Sequence, residues 1–246
     1  MPLTDAERAQ AMALIAEGER RANYKIRQYF KEDGPYRRAL YPKHLSLFAA
    51  GAEHRERLFL KANRVGGTEA GAFEMTLHLT GAYDTYAPWW KGRRFDGPIK
   101  AWAAGDTGKT TRDIQQEKLM GSPSDIGSGM IPRHLIHHKS PKAGIPDAIE
   151  NVWVKHVSGG LSLLQFRSYD QGRISFQGTA QHFIWLDEEV DEQIYTECLL
   201  RTTETSEFPG GSLLLTFTPL SGLTPVILAF LPGGKLPDPD ELREAA

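Results

Sequence analysis

Cysteine is almost missing from this sequence. Cys198 stands alone, which excludes a disulfide framework and a thiolate zinc site. No apolar run approaches the ~18 residues of a membrane-spanning helix, and the N-terminus has no signal-peptide core. A surplus of one charge is missing too, with 29 Lys and Arg against 31 Asp and Glu and a formal net charge of -2. Global attraction to nucleic acid or membrane is therefore excluded, and any polyanion contact has to come from a local patch. Repeats and low-complexity tracts are lacking. What remains is an ordinary globular composition in 246 residues, enough for one large α/β domain or for one domain with a small appendage.

One local patch exists. Residues 20–43, RRANYKIRQYFKEDGPYRRALYPK, carry eight Lys/Arg against two acids, with aromatics between them. The stretch reads either as a solvated basic surface or as a nucleic-acid or partner contact. His134, His137 and His138 cluster in RHLIHHK, but no matching set of metal ligands accompanies them.

Thr4 and Glu7 have the spacing of a capping box, which predicts an amphipathic helix running to about Phe30. A short helix is expected over 40–51, a strand over 57–63, and a helix over 69–81 that stops at Gly81. Residues 83–98 read as loop, PIKAWAAG (98–105) as a buried strand and TTRDIQQEKLMG (110–121) as a polar helix. Residues 121–150 look irregular. NVWVKHVS, LSLLQFRS, GRISFQG and HFIWLDEE then read as strands, VDEQIYTECLLRTTET as a helix, GSLLLTFTP as a core strand and PVILAFLPGG as a last apolar element. HFIWL does not alternate, which suits a central parallel strand covered on both faces. Strands separated by helices predict a mostly parallel sheet covered on both sides.

Two stretches resemble phosphate-binding loops, which need a strand end, inward-pointing amides, a helix N-terminus, a cation and a hydroxyl for magnesium. AAGDTGKTTRD (103–113) holds Gly108, Lys109 and Thr110, but Ala103 takes the first glycine position and the following helix offers no apolar stripe to bury. KANRVGGTEAG (61–71) has Gly66, Gly67 and Thr68 where Gly-Lys-Thr would stand. Its cations, Lys61 and Arg64, are displaced to the start and the middle of the loop, yet either is long enough to fold back over a phosphate. Thr68 would open the helix with the magnesium-type hydroxyl. Downstream, HFIWLDEE is an apolar strand ending in Asp187, Glu188 and Glu189. Carboxylates placed there either begin an acidic helix or hold a metal ion and activate water. TFTPLSG (216–222) ends another apolar strand in the hydroxyls of Thr216 and Thr218.

Together, KANRVGGTEAG, SYDQGRISFQGTAQHFIWLDEE and LLLTFTPLSG resemble the ATPase domain of tailed-bacteriophage large terminases, over roughly residues 40–230. Some members of that family carry their lysine at the start of a deviant Walker A loop, and Lys61 matches that placement. The resemblance makes 61–71 the nucleotide site and GDTGKT a decoy. It implies a P-loop NTPase fold of the ASCE type, with an N-terminal helical extension (1–39), the ATPase domain (40–230) and a linker (231–246). The implied ligands are ATP and Mg2+. Lys61, Ala62, Asn63, Arg64, Val65, Gly66, Gly67 and Thr68 would form the phosphate loop, with Thr68 and Asp187 serving the metal. Glu188 would be the catalytic carboxylate, with Glu189 as a substitute, and Thr216 and Thr218 the coupling motif. His44 stands where such families often place an adenine-reading glutamine, and Arg173 or Arg201 would be the arginine finger offered to a neighbour. The implied partners are double-stranded DNA, a portal protein, a small terminase subunit and further copies in a ring, a pentamer on the capsid and a monomer in dilute solution. The setting is the host-cell cytoplasm, with no membrane. A complete large terminase adds a nuclease domain, which is expected to begin about where this chain stops, so no nuclease activity is expected here. Another helicase or translocase ATPase, or a nucleotide-independent DNA- or portal-docking module, is the alternative function.

Overall fold

The protein is described from a computed structural model, which covers residues 4–22 and 24–235. Seven strands form one sheet in the order β1-β7-β6-β2-β5-β4-β3. They are β1 (Glu56–Leu60), β2 (Lys100–Gly105), β3 (Ile136–Pro141), β4 (Ile149–Lys155), β5 (Leu161–Ser168), β6 (Phe183–Asp187) and β7 (Ser212–Phe217). From β1 to β5 neighbouring strands are parallel, whereas β4 and β3 add an antiparallel edge.

β2, β6 and β7 are almost wholly buried because helices cover both faces, and so they read as continuous apolar runs. Alternate residues divide between the two sides. Ala101, Phe183, Trp185 and Leu214 join a core with α3 (Gly67–Thr80), while Trp102, Ile184, Leu186, Leu215 and Phe217 join a second core with α7 (Glu192–Arg201) and α8 (Pro225–Ala229). Asp187 continues the alternation of Phe183 and Trp185, and therefore faces α3.

α1 (Asp5–Ala22) opens with the expected capping box: the Thr4 amide donates to Glu7 Oε2 at 2.7 Å and the Glu7 amide to Thr4 Oγ1 at 3.3 Å. The helix stops at Ala22 instead of reaching Phe30. Met12, Leu14 and Ile15 are exposed, so they are not buried against the domain. A 3-10 turn (Lys25–Gln28) follows, and Ile26 and Phe30 enter the same core as Phe48 and Phe73. α2 (Pro42–Ala50) begins with proline at a first-turn position, where no amide is needed. α3 ends, as expected, on Gly81 in the left-handed region.

Three further expectations are corrected. The 83–98 loop contains one helical turn, α4 (Tyr83–Tyr86). The irregular 121–150 stretch hides β3, an edge strand so polar (IHHKSP) that it carries no apolar signal. GRISFQG is not a strand but a 3-10 turn, Arg173–Phe176, entered through Gly172 at φ 70°, with Phe176 buried and Ile174 78% exposed. Its apolar alternation imitated a half-buried strand. The expected linker lies largely outside the described residues, which end at 235.

Candidate functional site

The C-terminal ends of β1, β6 and β7 converge on the start of α3. β1 stops at Leu60, and the Lys61 amide makes a last ladder-like hydrogen bond to the Phe217 carbonyl at 3.1 Å. Two left-handed residues then turn the loop, Arg64 at φ 65° and Gly66 at φ 83°. Glycine adopts that conformation freely, whereas Arg64 does so at a cost, a kind of outlier that gathers at functional loops. Lys61 folds back over the loop: a Cβ placed on Gly67 would meet its Cδ at 2.1 Å and its Cε at 2.4 Å. Gly67 therefore makes room for the lysine stem. Among the described residues, the amides of Ala62, Asn63 and Arg64 donate to no protein acceptor.

At the start of α3, the Thr68 hydroxyl donates to Asp187 Oδ2 at 3.0 Å. Its proton is thus committed, leaving its oxygen lone pairs for another partner. Asp187 Oδ1 accepts from Thr216 Oγ1 at 2.7 Å, and Thr216 in turn accepts from the Trp185 indole at 2.8 Å. In-register pairing of Asp187 with Thr216 across β6 and β7 fixes that contact. Burial pushes the Asp187 carboxyl up to about 6, opposed by the Thr216 and Thr68 hydrogen bonds and by the Lys61 charge, and reinforced by Glu188. Glu188 follows with φ 70°, its amide tied to the Thr216 carbonyl at 3.1 Å. No hydrogen bond or ion pair holds its half-buried carboxylate among the described residues. Glu189 turns away, and its Oε2 accepts from the Ser221 amide at 3.2 Å. Thr218 donates to Asn63 Oδ1 at 3.0 Å, joining the end of β7 to the loop.

His44 is buried on α2 against the loop, 3.6 Å from the position of a Gly66 Cβ. Its Nε2 has no hydrogen-bond partner, and burial lowers its pKa. Beside it opens a cavity of about 500 Å3 lined by Tyr29, Tyr36, Tyr41, His44, Gly66 and Thr68. Tyr29 and Tyr36 stack there with centroids 4.6 Å apart. These tyrosines come from the basic stretch 20–43, several of whose cations are engaged locally. Arg27 lies over Tyr86, Arg38 over Trp89 with an ion pair to Glu32, and Arg37 donates to the Gly34 carbonyl.

The GDTGKT stretch is occupied by its own chain. Thr107 and Thr110 form a reciprocal cap, the Gly108 amide donates to Asp170 Oδ2 at 3.3 Å, and Lys109 is exposed. A carboxylate already sits where a phosphate would bind. Arg173 and Arg201 both reach Glu197 on α7, at 3.6 and 3.2 Å, and Arg201 also donates to the Gly178 carbonyl. Neither touches the loop, Asp187 or Glu188 within this chain.

Three contributors escaped the sequence reading. Tyr169 donates to the Asp187 carbonyl at 2.9 Å. Gly71 lets α3 lie on Trp185, whose indole would meet a Cβ at 2.2 Å. Gln115 donates from Nε2 to Asp187 Oδ2 at 3.1 Å. The helix after GDTGKT, expected to have nothing to bury, instead buries Gln115, Gln116, Leu119 and Met120.

The strand bearing Asp187 is separated from the loop strand β1 by β7, the ASCE arrangement of P-loop NTPases. A model of the N-terminal part of the T4likevirus-type terminase large subunit matches residues 58–235. The chain belongs to this terminase family. The terminase large subunit of Salmonella phage P22 is 33% identical over 246 residues, covering 93% of this chain and 47% of the relative. This chain thus spans about half the length of that relative. Among solved structures, the large terminase of bacteriophage HK97 aligns with 82% of this chain and 37% of its own, at 15% identity and a TM-score of 0.46. The large terminase of a thermophilic bacteriophage aligns with 80% and 38%, at 13% identity and a TM-score of 0.45. No helix of the terminase chain, among the described residues, is long and apolar enough to cross a membrane.

Proposed function

We propose that this chain is the ATP-hydrolysing motor domain of a viral large terminase, driving double-stranded DNA into a procapsid. The observation that carries the reading is the convergence of the folded-back Lys61, Thr68 and Asp187 on one point, beside a loop whose amides are free. Free amides in a loop that leads into a helix N-terminus, with a long cation folded back over it, suit an anion. The hard-oxygen donors of Thr68 and Asp187 suit Mg2+, which when bound with ATP would neutralise charge between the terminal phosphates.

Lys61 and Arg64 would balance the phosphate charge, and Thr68 would offer its lone pairs to the metal while its hydroxyl keeps donating to Asp187. The base of ATP would enter the tyrosine-lined cavity against His44, which burial keeps neutral. Glu188, unpaired beside Asp187, would orient the attacking water and accept its proton. Thr218 and Asn63 would transmit a change in the loop to the end of β7. Either Arg173 or Arg201 would leave Glu197 and serve a neighbouring copy, placing the chain in a ring. DNA, a portal protein and a small terminase subunit would be the partners, in the host-cell cytoplasm.

Two substitutions separate binding from chemistry. Asp187→Ala is expected to weaken magnesium-dependent nucleotide binding, whereas Glu188→Gln leaves binding near wild type and lowers kcat by about 100-fold or more. Calorimetry and steady-state ATPase assays read both. Equal, small effects of the two changes would contradict the assignment.

A further inference from the structure

The segment that imitates a phosphate loop supplies the site by another route. α5 (Gly108–Thr111), the π-helical turn Arg112–Gln116 and α6 (Glu117–Met120) run on as one helical segment. A π-turn inserts an extra residue into the helix and re-aims the side chains around it. Here it carries Gln115, which is 1% exposed, to the Asp187 carboxylate. The amide lies flat against the last residue of β2. A Cβ on Gly105 would meet Gln115 Nε2 at 2.7 Å, Oε1 at 2.8 Å and Cδ at 3.0 Å. Glycine at 105 is therefore what admits the amide. Donation to a carboxylate sets its orientation, since an ionised carboxylate only accepts. The other edge, Oε1, is buried and has no hydrogen-bond partner.

A buried amide oxygen without a donor is costly, and in a native fold it calls for a ligand or water. Asp187 has three donors on it, from Thr68, Thr216 and Gln115, so its carboxylate is held in one orientation. We infer that Gln115 is a positioning residue of the metal-nucleotide site: its N–H aims the Asp187 carboxylate, and its Oε1 accepts from a water in the hydration shell of the divalent cation. The inference rests on the nucleotide reading above. Gly105, within the decoy motif, is its bearing surface.

The test measures ADP affinity by calorimetry over a magnesium series and in chelator, for wild type, Gln115→Met and Gly105→Ala. Methionine keeps the length of the side chain and removes both polar atoms. Alanine at 105 displaces the amide without altering it. Both variants should keep the metal-free ADP affinity of wild type, and both should need roughly tenfold more magnesium for half-maximal enhancement, as loss of a residue that orients a metal ligand does. An unchanged magnesium requirement in Gln115→Met overturns the role. So does an equal loss of ADP affinity with and without metal, which is the mark of general damage to the site. If wild type binds no ADP and Lys61→Ala behaves identically, the nucleotide reading itself fails, and this inference with it.

Discussion

Asp187 is the residue on which the account turns, and its environment makes it testable without any nucleotide. Its carboxyl titrates at about 6, against an ordinary value of 3.8, because the site strips it of water. A carboxyl raised on folding destabilises the fold wherever it must ionise. The penalty is absent below the unfolded value, grows between about pH 4 and 6, and is complete above, on the order of 2–3 kcal/mol. Asp187→Asn removes the charge and keeps one acceptor oxygen, while the hydroxyl that faces the new NH2 turns to accept from it. In metal-free buffer its melting temperature should exceed that of wild type at pH 7.5, with the difference vanishing near pH 4. A difference independent of pH would show that the carboxyl is not perturbed as described.

Among the elements, α3 carries most of the geometry, since it begins at the loop and lies on the sheet through Gly71. Trp185 beneath it is fully buried and holds Thr216, so the contact links helix packing to the orientation of Asp187. Gly71→Ala should cost about 1–3 kcal/mol, as overpacking does. Denaturant unfolding checks this, and a loss below about 0.5 kcal/mol would mean that the helix floats free of Trp185. β1, β2, β6, β7 and α3 announced themselves through apolar runs and the terminal Gly81. The family resemblance proposes Lys61 as the nucleotide's lysine, whereas its fold-back over Gly67 is a three-dimensional fact that spacing does not encode. Gln115 was invisible for a related reason. A polar helix with no apolar stripe looks solvated unless one knows that a π-turn brings its amide to a carboxylate far along the chain.

At the scale of the whole molecule, the proposed ring would bring a neighbour's arginine to the site. Both arginine candidates are held in cis by Glu197, and neither reaches Asp187 or Glu188 in its own chain. An arginine delivered by a neighbour contributes about 10^3-fold or more in related nucleotidases. ATPase rate in dilute solution should then be low and rise more steeply than linearly with protein concentration. A fast rate strictly proportional to concentration would indicate a site complete within one chain. ATP binding and hydrolysis by wild type, Lys61→Ala and Lys109→Ala, measured side by side, decide which loop holds the nucleotide. Lys61 lies over free loop amides, while the loop of Lys109 is capped by its own threonines and by Asp170. Lys61→Ala should lose detectable hydrolysis and bind ATP more weakly, and Lys109→Ala should match wild type. An inactive Lys109→Ala beside an active Lys61→Ala would contradict the account and move the site to the other loop.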